Sequence, residues 1–510
     1  MRNRRLNERI NSGHRLLSFC ILCLFVLYVA GSSAEEQSQR ERSKSKVVLL
    51  HTDNLTYDQY RHPGAQILTG NVQFQHDGVL MYCDSACFYE ATNSFDAFGH
   101  VKMVQGDTLD LVGDMLLYNG MEQLARVRHN VILTHRESKL YTDSLDYDRL
   151  YELGYFFEGG KLVDKDNVLI SDWGQYSPPT RQAVFNYNVQ LENPRFTLIS
   201  DTLNYNTRTS MAEIVGPSNI DSGDNHIYSE SGFYNTQTEQ AILLDRSIVT
   251  NKGRKMVGDS LFYDSKTGIG EGFRNVVYTD EVNKNMLTGN YCYYNDSLGY
   301  SMATDSAVAI DFSQRDTMYM HADTFKVYTF HIDTDTMYRE MRAYHKVRSY
   351  RTDVQSVCDS LVYNTKDTCI TMYRDPIVWN AGQQVLGEVI KIFLNDSTID
   401  RIHVIDQALS VEQIDTVHYN QVAGKEMISY FRDGEMYQTW VNGNVYVDYY
   451  MFDDDSLMIG LNYTETTELK LYMKDRKMEK IWMPASTGVI YPIVMIPANR
   501  LYLSNFAWFD

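Results

Sequence analysis

The chain has 510 residues, with 66 Asp and Glu against 47 Lys and Arg and a formal net charge of −19. A surface this acidic repels a phosphate backbone, which argues against nucleic acid as a partner. With 38 Tyr and 21 Phe but only nine Pro, and with little helical periodicity after the N-terminus, the composition favours strands.

At the N-terminus, Arg2, Arg4, Arg5, Arg9 and Arg15 precede an apolar run over 16–30, and the small residues Ser32 and Ala34 come next. This pattern reads as a secretory signal over 1–34 with cleavage before Glu35, because the run is short for a membrane span of about 20 residues. Cleavage leaves 42 basic against 65 acidic residues, a net charge of −23. It also leaves Cys83, Cys87, Cys292, Cys358 and Cys369. Five cannot all pair internally, so the chain is no disulfide scaffold, and most of the thiols read as small buried hydrophobes. Residues 35–46 form a polar linker without apolar periodicity.

From residue 47 onward a phrase Asp-x-Leu-x-Tyr recurs. It stands at Asp53–Tyr57, Asp114–Tyr118, Asp143–Tyr147, Asp201–Tyr205, Asp259–Tyr263 and Asp359–Tyr363, with degenerate copies at Asp84, Asp172, Glu230, Asn290, Asp323 and Glu388. Successive starts from Asp84 to Asp259 lie 30 and then repeatedly 29 residues apart, a structural period that implies stacked, quasi-identical units. Between the phrases lies a second signal, as in Gly70-Asn-Val-Gln-Phe74, Gly99-His-Val-Lys-Met103, His129-Asn-Val-Ile-Leu133, Tyr187-Asn-Val-Gln-Leu191 and Arg274-Asn-Val-Val-Tyr278. In both signals apolar residues two apart share a face of an extended chain, so each unit reads as strand, turn, strand. The repeated Asp reads as a bend residue that accepts backbone N–H bonds. A calcium ladder would need a Gly-rich nonapeptide that is missing, and no metal or cofactor is expected.

The array is expected over 47–395, clearest over 47–295, with looser spacing of 33 and 36 residues after Asn290. Residues 396–510 read as a divergent C-terminal β region. At about 4.8 Å per strand, one repeat advances a stack by roughly 10 Å. The inward set implied by the alternation includes Leu55, Tyr57, Val72, Phe74, Val101, Met103, Val131, Leu133, Leu203, Tyr205, Leu261, Tyr263 and Val276.

Gly258-Asp-Ser-Leu261 spells the nucleophile motif of GDSL hydrolases, with Asp400 and His403 as conceivable partners of Ser260. Ser260 nevertheless falls in register with Asn54, Ser144, Thr202 and Ser360, so the motif reads as a coincidence of the period and no enzyme is expected. A basic cluster, Lys470, Lys474, Arg476, Lys477 and Lys480, reads as a solvated strand face.

The alternation of Asp-Ser-Leu-Phe-Tyr263 style strands with Gly-x-Asn-Val style strands behind a signal resembles the OstA-like/LptA-like lipopolysaccharide transport family. It is nearest in style to the long members from Bacteroidetes-type bacteria. The resemblance implies an all-β, elongated jelly roll of stacked repeats of about 29 residues whose groove carries acyl chains. On that resemblance the inward residues become lipid-groove candidates, and the protein a non-enzymatic periplasmic bridge in outer-membrane assembly. The implied partners are lipopolysaccharide, other jelly-roll domains of the transport machinery joined by edge-strand pairing, and the outer-membrane translocon. The competing expectation is a structural or glycan-binding envelope β-solenoid without a lipid groove.

Overall fold

The computed structural model describes residues 45–509 apart from 296, 314, 333, 353, 381, 396, 397, 433, 475 and 476. The expected signal, and all but the last two residues of the expected linker, lie outside the described residues. Those described form strands throughout, with three short 3₁₀ turns. The chain divides into two compact units, the first containing 45–136 and 141–156, the second 137–140 and 157–509.

Within each unit consecutive strands pair antiparallel, as in Gln66–His76 with Val79–Tyr89 and Phe196–Asn206 with Met211–Ser222. The hairpin turns are set by the residue after the phrase Tyr. Asn206 Oδ1 accepts the N–H groups of Arg208 and Thr209 at 3.0 and 3.1 Å, and Asn235 and Asp264 do the same in the next two turns. An Asx side chain thus replaces the backbone partner that a tight turn removes.

Alternate long strands, those of the second signal, carry a corner near their middle. Two successive residues take left-handed backbone angles: His129 and Asn130 (φ 62° and 50°), Tyr187 and Asn188 (65° and 53°), Arg274 and Asn275 (60° and 49°). These are the residues directly before the Val of the second signal, and the pairing register shifts there, as between Asn186 and Val189. The phrase Asp lies across from the corner. Asn130, Asn188 and Asn275 donate to the carboxylates of Asp114, Asp172 and Asp259 at 2.6, 2.6 and 2.9 Å, in each case from 16 residues away. The Asp backbone N–H meanwhile donates to the first corner carbonyl, Asp172 to Tyr187 and Asp259 to Arg274, both at 3.1 Å. The carboxylate therefore takes a side-chain amide, not the backbone N–H groups expected from sequence. Where the first corner residue is glycine, the reason is space as well as φ: a Cβ on Gly99 would collide with the Asp84 carboxylate.

The corner turns both halves of a strand toward one interior. On the strand Leu109–Asn119 the buried positions run Leu109, Leu111, Gly113, then Leu116 and Tyr118, an odd step across Asp114. The sheet is folded along the line of corners, which is the jelly-roll arrangement expected.

In the second unit the segment 497–509 packs on the outer face of the strands around 383–463. Two buried glutamines hold its backbone: Gln384 accepts from the Phe509 N–H (3.0 Å) and donates to the Ala507 carbonyl (3.1 Å), while Gln421 accepts from the Leu503 N–H (2.9 Å) and donates to the Leu501 carbonyl (3.0 Å). Leu409, Val411, Tyr419, Ala423, Tyr463 and Leu503 form the apolar layer between. Asp448, cross-strand from Gln421 and Tyr463, is 1% exposed in this layer, and burial pushes its carboxyl up to about 7 against the opposing pull of Arg500.

Removing the corner amide in Asn188→Ala should destabilise the local hairpins by about 1 kcal/mol, read as faster hydrogen exchange at the amides flanking Asp172. The buried carboxyl layer gives a second expected outcome. Because the Asp448 pKa is raised on folding, the folded state holds the proton more tightly, so stability should fall as pH rises from about 4 to about 7. Asp448→Asn should flatten that fall and raise the unfolding temperature at about pH 8, as checked by thermal melts across the range.

Candidate functional site

The interior changes character along the chain. In the first unit it is filled by large rings: Phe74 stacks on Phe95 at 4.1 Å, Phe95 meets Tyr118 at 5.2 Å, and Phe88 lies 5.5 Å from Phe74. The phrase tyrosines also tie the fold shut by reaching a polar strand end far back in the chain. Tyr118 OH bonds His76 Nδ1 at 2.6 Å, with buried Arg149 donating to the same hydroxyl. In the second unit Tyr205 OH donates to Asp164 Oδ2 at 2.8 Å and accepts from Asn167 at 2.9 Å, and Ser138 donates to the other Asp164 oxygen at 2.8 Å. Apart from the Arg149 Nε, these buried polar groups satisfy one another.

Further along the second unit the packing loosens. The buried core there includes Cys292, Ala303, Ala307, Ala322, Ala343 and Ala408, all small, and the inward residues packed against it are only partly buried: Met256, Leu287, Met320, Met341, Ile370 and Ile392 among them. Tyr263 and Tyr363, equivalent to Tyr118 and Tyr205, are also only partly buried. The difference is one of volume. The small side chains are mixed with buried Phe325, Leu361, Met372 and Ile390, and the residues packed against the cluster stay in partial contact with water. The partly buried Met, Leu and Ile form an apolar band, the candidate trough, on strands from Arg254–Val257 to Thr398–Gln413. Burial raises the thiols of the cluster, Cys292 to about 11 and Cys358 to about 12, which keeps them protonated and apolar in character.

Of the residues expected inward, Val72, Phe74, Val101, Met103, Val131 and Leu133 in the first unit are buried, as are Leu203, Tyr205, Leu261 and Val276 in the second. Val276 alone among them belongs to the buried cluster beside the candidate trough. Leu55 and Tyr57 differ from expectation, being 54% and 58% exposed. Leu55 pairs with buried Leu68 and so points to the same face, but its strand Asn54–Tyr57 has too little packed over it to cover that face. The alternation does not single out the trough walls. The signal that marks them is the run of Ala and Met at inward positions where the repeat spacing loosens after Asn290.

The hydrolase reading has no geometric support. Ser260 starts a strand paired through Phe273 and Leu244, whereas His403 is hydrogen-bonded to Glu426 on the neighbouring strand. All five described cysteines are free thiols. Lys470 of the basic cluster is ion-paired with Glu468 at 3.0 Å and lies over the Trp440 and Trp482 rings at 4.8 and 4.9 Å.

The fold is thus an all-β jelly roll of stacked antiparallel hairpins with a part-open apolar interior. Residues 44–201 match the family described as OstA-like protein. A similar solved structure is LptH, described as the LptA homologous periplasmic component of the conserved lipopolysaccharide transport device from Pseudomonas aeruginosa. It is 15% identical, over 24% of this chain and 82% of its own, with a TM-score of 0.20. No curated protein matches the chain.

The contrast between closed and part-open interior has a direct test. Met320→Asp and Ile392→Asp place charges on walls already in contact with water and should leave the fold intact while reducing binding of the apolar dye N-phenyl-1-naphthylamine about tenfold. Phe74→Asp buries an unpaired carboxylate and should instead unfold the first unit, as seen by circular dichroism.

Proposed function

We propose that this protein is a non-enzymatic carrier of the periplasm that holds the acyl chains of lipopolysaccharide in the trough between Met256 and Ile402 and so contributes to outer-membrane assembly. The observation that carries this reading is the band of partly buried Met, Leu and Ile packed against the buried cluster. Each CH₂ kept out of water is worth about 0.8 kcal/mol, so a multi-chain lipid needs a continuous apolar trough to cross an aqueous space. Methionine suits the task because its unbranched thioether adapts to chains of varied packing. The OstA-like match over 44–201 supports the same reading.

Docking by edge-strand pairing fits the first described strands. Val48–His51 and Asn54–Tyr57 pair with Gln66–His76 and leave Val48, Leu50, Leu55 and Tyr57 about half exposed. An apolar strand edge of this kind invites a further strand, here from another jelly-roll domain of the transport machinery or its translocon.

Photo-crosslinking tests the carrier reading. A benzophenone residue at Met320 or Ile392 should give a lipopolysaccharide adduct in cells, whereas the same group at Tyr205, in the closed interior, should give none. Absence of adducts at both trough positions in folded protein would favour the envelope solenoid without a lipid groove.

A further inference from the structure

The outer face of the second unit carries a feature that lipid carriage does not use. A cleft of about 1130 Å³ lies between the strands Tyr338–Tyr350, Val354–Asn364, Cys369–Tyr373 and Val389–Asn395 and the packed segment around Asn505 and Phe509. Ligand pockets run from about 300 to 1,000 Å³, so this one has room for several rings. Its walls expose aromatic faces, Tyr373 and Phe509 at 39% and 48%, with Tyr344 partly buried beside them.

Both arginines of the cleft are paired, and the lining also carries the carboxylates Asp375 and Glu388, the latter accepting from Gln407 at 2.8 Å. Arg342 is held by Glu340 at 2.6 Å and Arg374 by Asp359 at 3.0 Å. Two guanidinium groups against the carboxylates Glu340, Asp375 and Glu388 present fixed donors and a surplus of acceptors, a balance that disfavours an anion and suits hydroxyl donors. The amides Gln407 and Asn505 add further groups of both kinds. Flat apolar faces edged by dense donors and carboxylate acceptors complement a ring with an apolar face and hydroxyls around its rim.

Beyond the cleft the same face continues as a ladder of rings. The Arg342 guanidinium lies 5.0 Å from the Tyr328 ring centroid, Tyr328 is 5.2 Å from Tyr300, and Tyr300 is 6.0 Å from Tyr293. A ligand longer than the cleft would find successive stacking platforms one strand apart.

We infer that the cleft bounded by Tyr344, Tyr373 and Phe509 is a saccharide-binding site, with the Tyr328–Tyr300–Tyr293 ladder receiving the continuation of an extended glycan. It lies on the opposite face of the sheet from the trough and does not depend on lipid binding.

The test uses the full mature chain with three probes: chitohexaose, maltohexaose and the lipid-free saccharide released from lipopolysaccharide by mild acid. At least one should bind by saturation-transfer NMR and titration calorimetry with a Kd between about 10 µM and 1 mM. Tyr373→Ala and Phe509→Ala should each weaken it tenfold or more, while Tyr187→Ala, at an exposed corner elsewhere, should not. Dye binding in the trough should be unchanged in all three variants, which separates this result from the carrier reading and reports intact folding. Failure of all three saccharides to bind at about 10 mM, or equal binding to the Tyr373 and Phe509 variants, would overturn the assignment. Capture of an extended peptide by the cleft in place of every saccharide would overturn it in favour of a protein partner.

Discussion

The pair of left-handed residues at the middle of alternate long strands is the constraint on which everything else rests. A non-glycine residue at positive φ costs about 1–2 kcal/mol, and here the cost recurs at residues as bulky as Tyr187 and Arg274. The bond from the corner Asn to the phrase Asp returns about 0.5–1.5 kcal/mol each time, and the Asp backbone N–H satisfies the corner carbonyl as well. The Asp and Asn recur because neither works alone. Together they bend every strand at the same height, and a flat sheet with one apolar face becomes a folded sheet with one interior.

Once the corners are set, the width and wetness of that interior depend on side-chain volume. Phe74, Phe95 and Tyr118 fill it completely in the first unit, and the Tyr205–Asp164–Asn167 bonds tie it at the start of the second. Ala303, Ala307, Ala322 and Ala343 keep the same backbone pattern with less volume, set around buried Phe325. A cavity-lining alanine normally invites collapse of its surroundings. Here the corner clamps hold the two halves of each strand in place, so the space persists as a trough.

Much of the fold was legible in the sequence because its periods are local. The 29-residue repeat and the two-residue alternation depend on neighbours along one strand, and Val72, Val101, Leu133 and Leu203 are buried as that alternation implies. The trough was less legible because it depends on which residues face each other across the fold. Ala322 and Met320 are ordinary in their own strand, and only the register shows that Ala322 faces Ala307 while Ala303 and Ala343 flank Phe325 from the two neighbouring strands. Leu55 departs from expectation for a related reason: alternation sets its face, but its cover depends on a neighbour packing over that face, which no local pattern encodes.

The aromatic residues on the outer face bear on the same point from the other side. The inward residues and the corners already specify register, since a one-residue slip would move every buried side chain to water. Outward rings such as Tyr300, Tyr328 and Tyr344 are therefore not needed to select the fold. Cross-strand pairs of this kind add only about 0.2–1 kcal/mol each, while an exposed aromatic strip raises the hazard of non-specific association. In this chain Arg342 and Lys326 sit over two of those rings, 5.0 Å from Tyr328 and 5.6 Å from Tyr344, and the chain as a whole is strongly acidic. Charge over two of the rings keeps the partly exposed strip in solution. A face that stability does not require and solubility has to offset is better explained by a ligand that uses it.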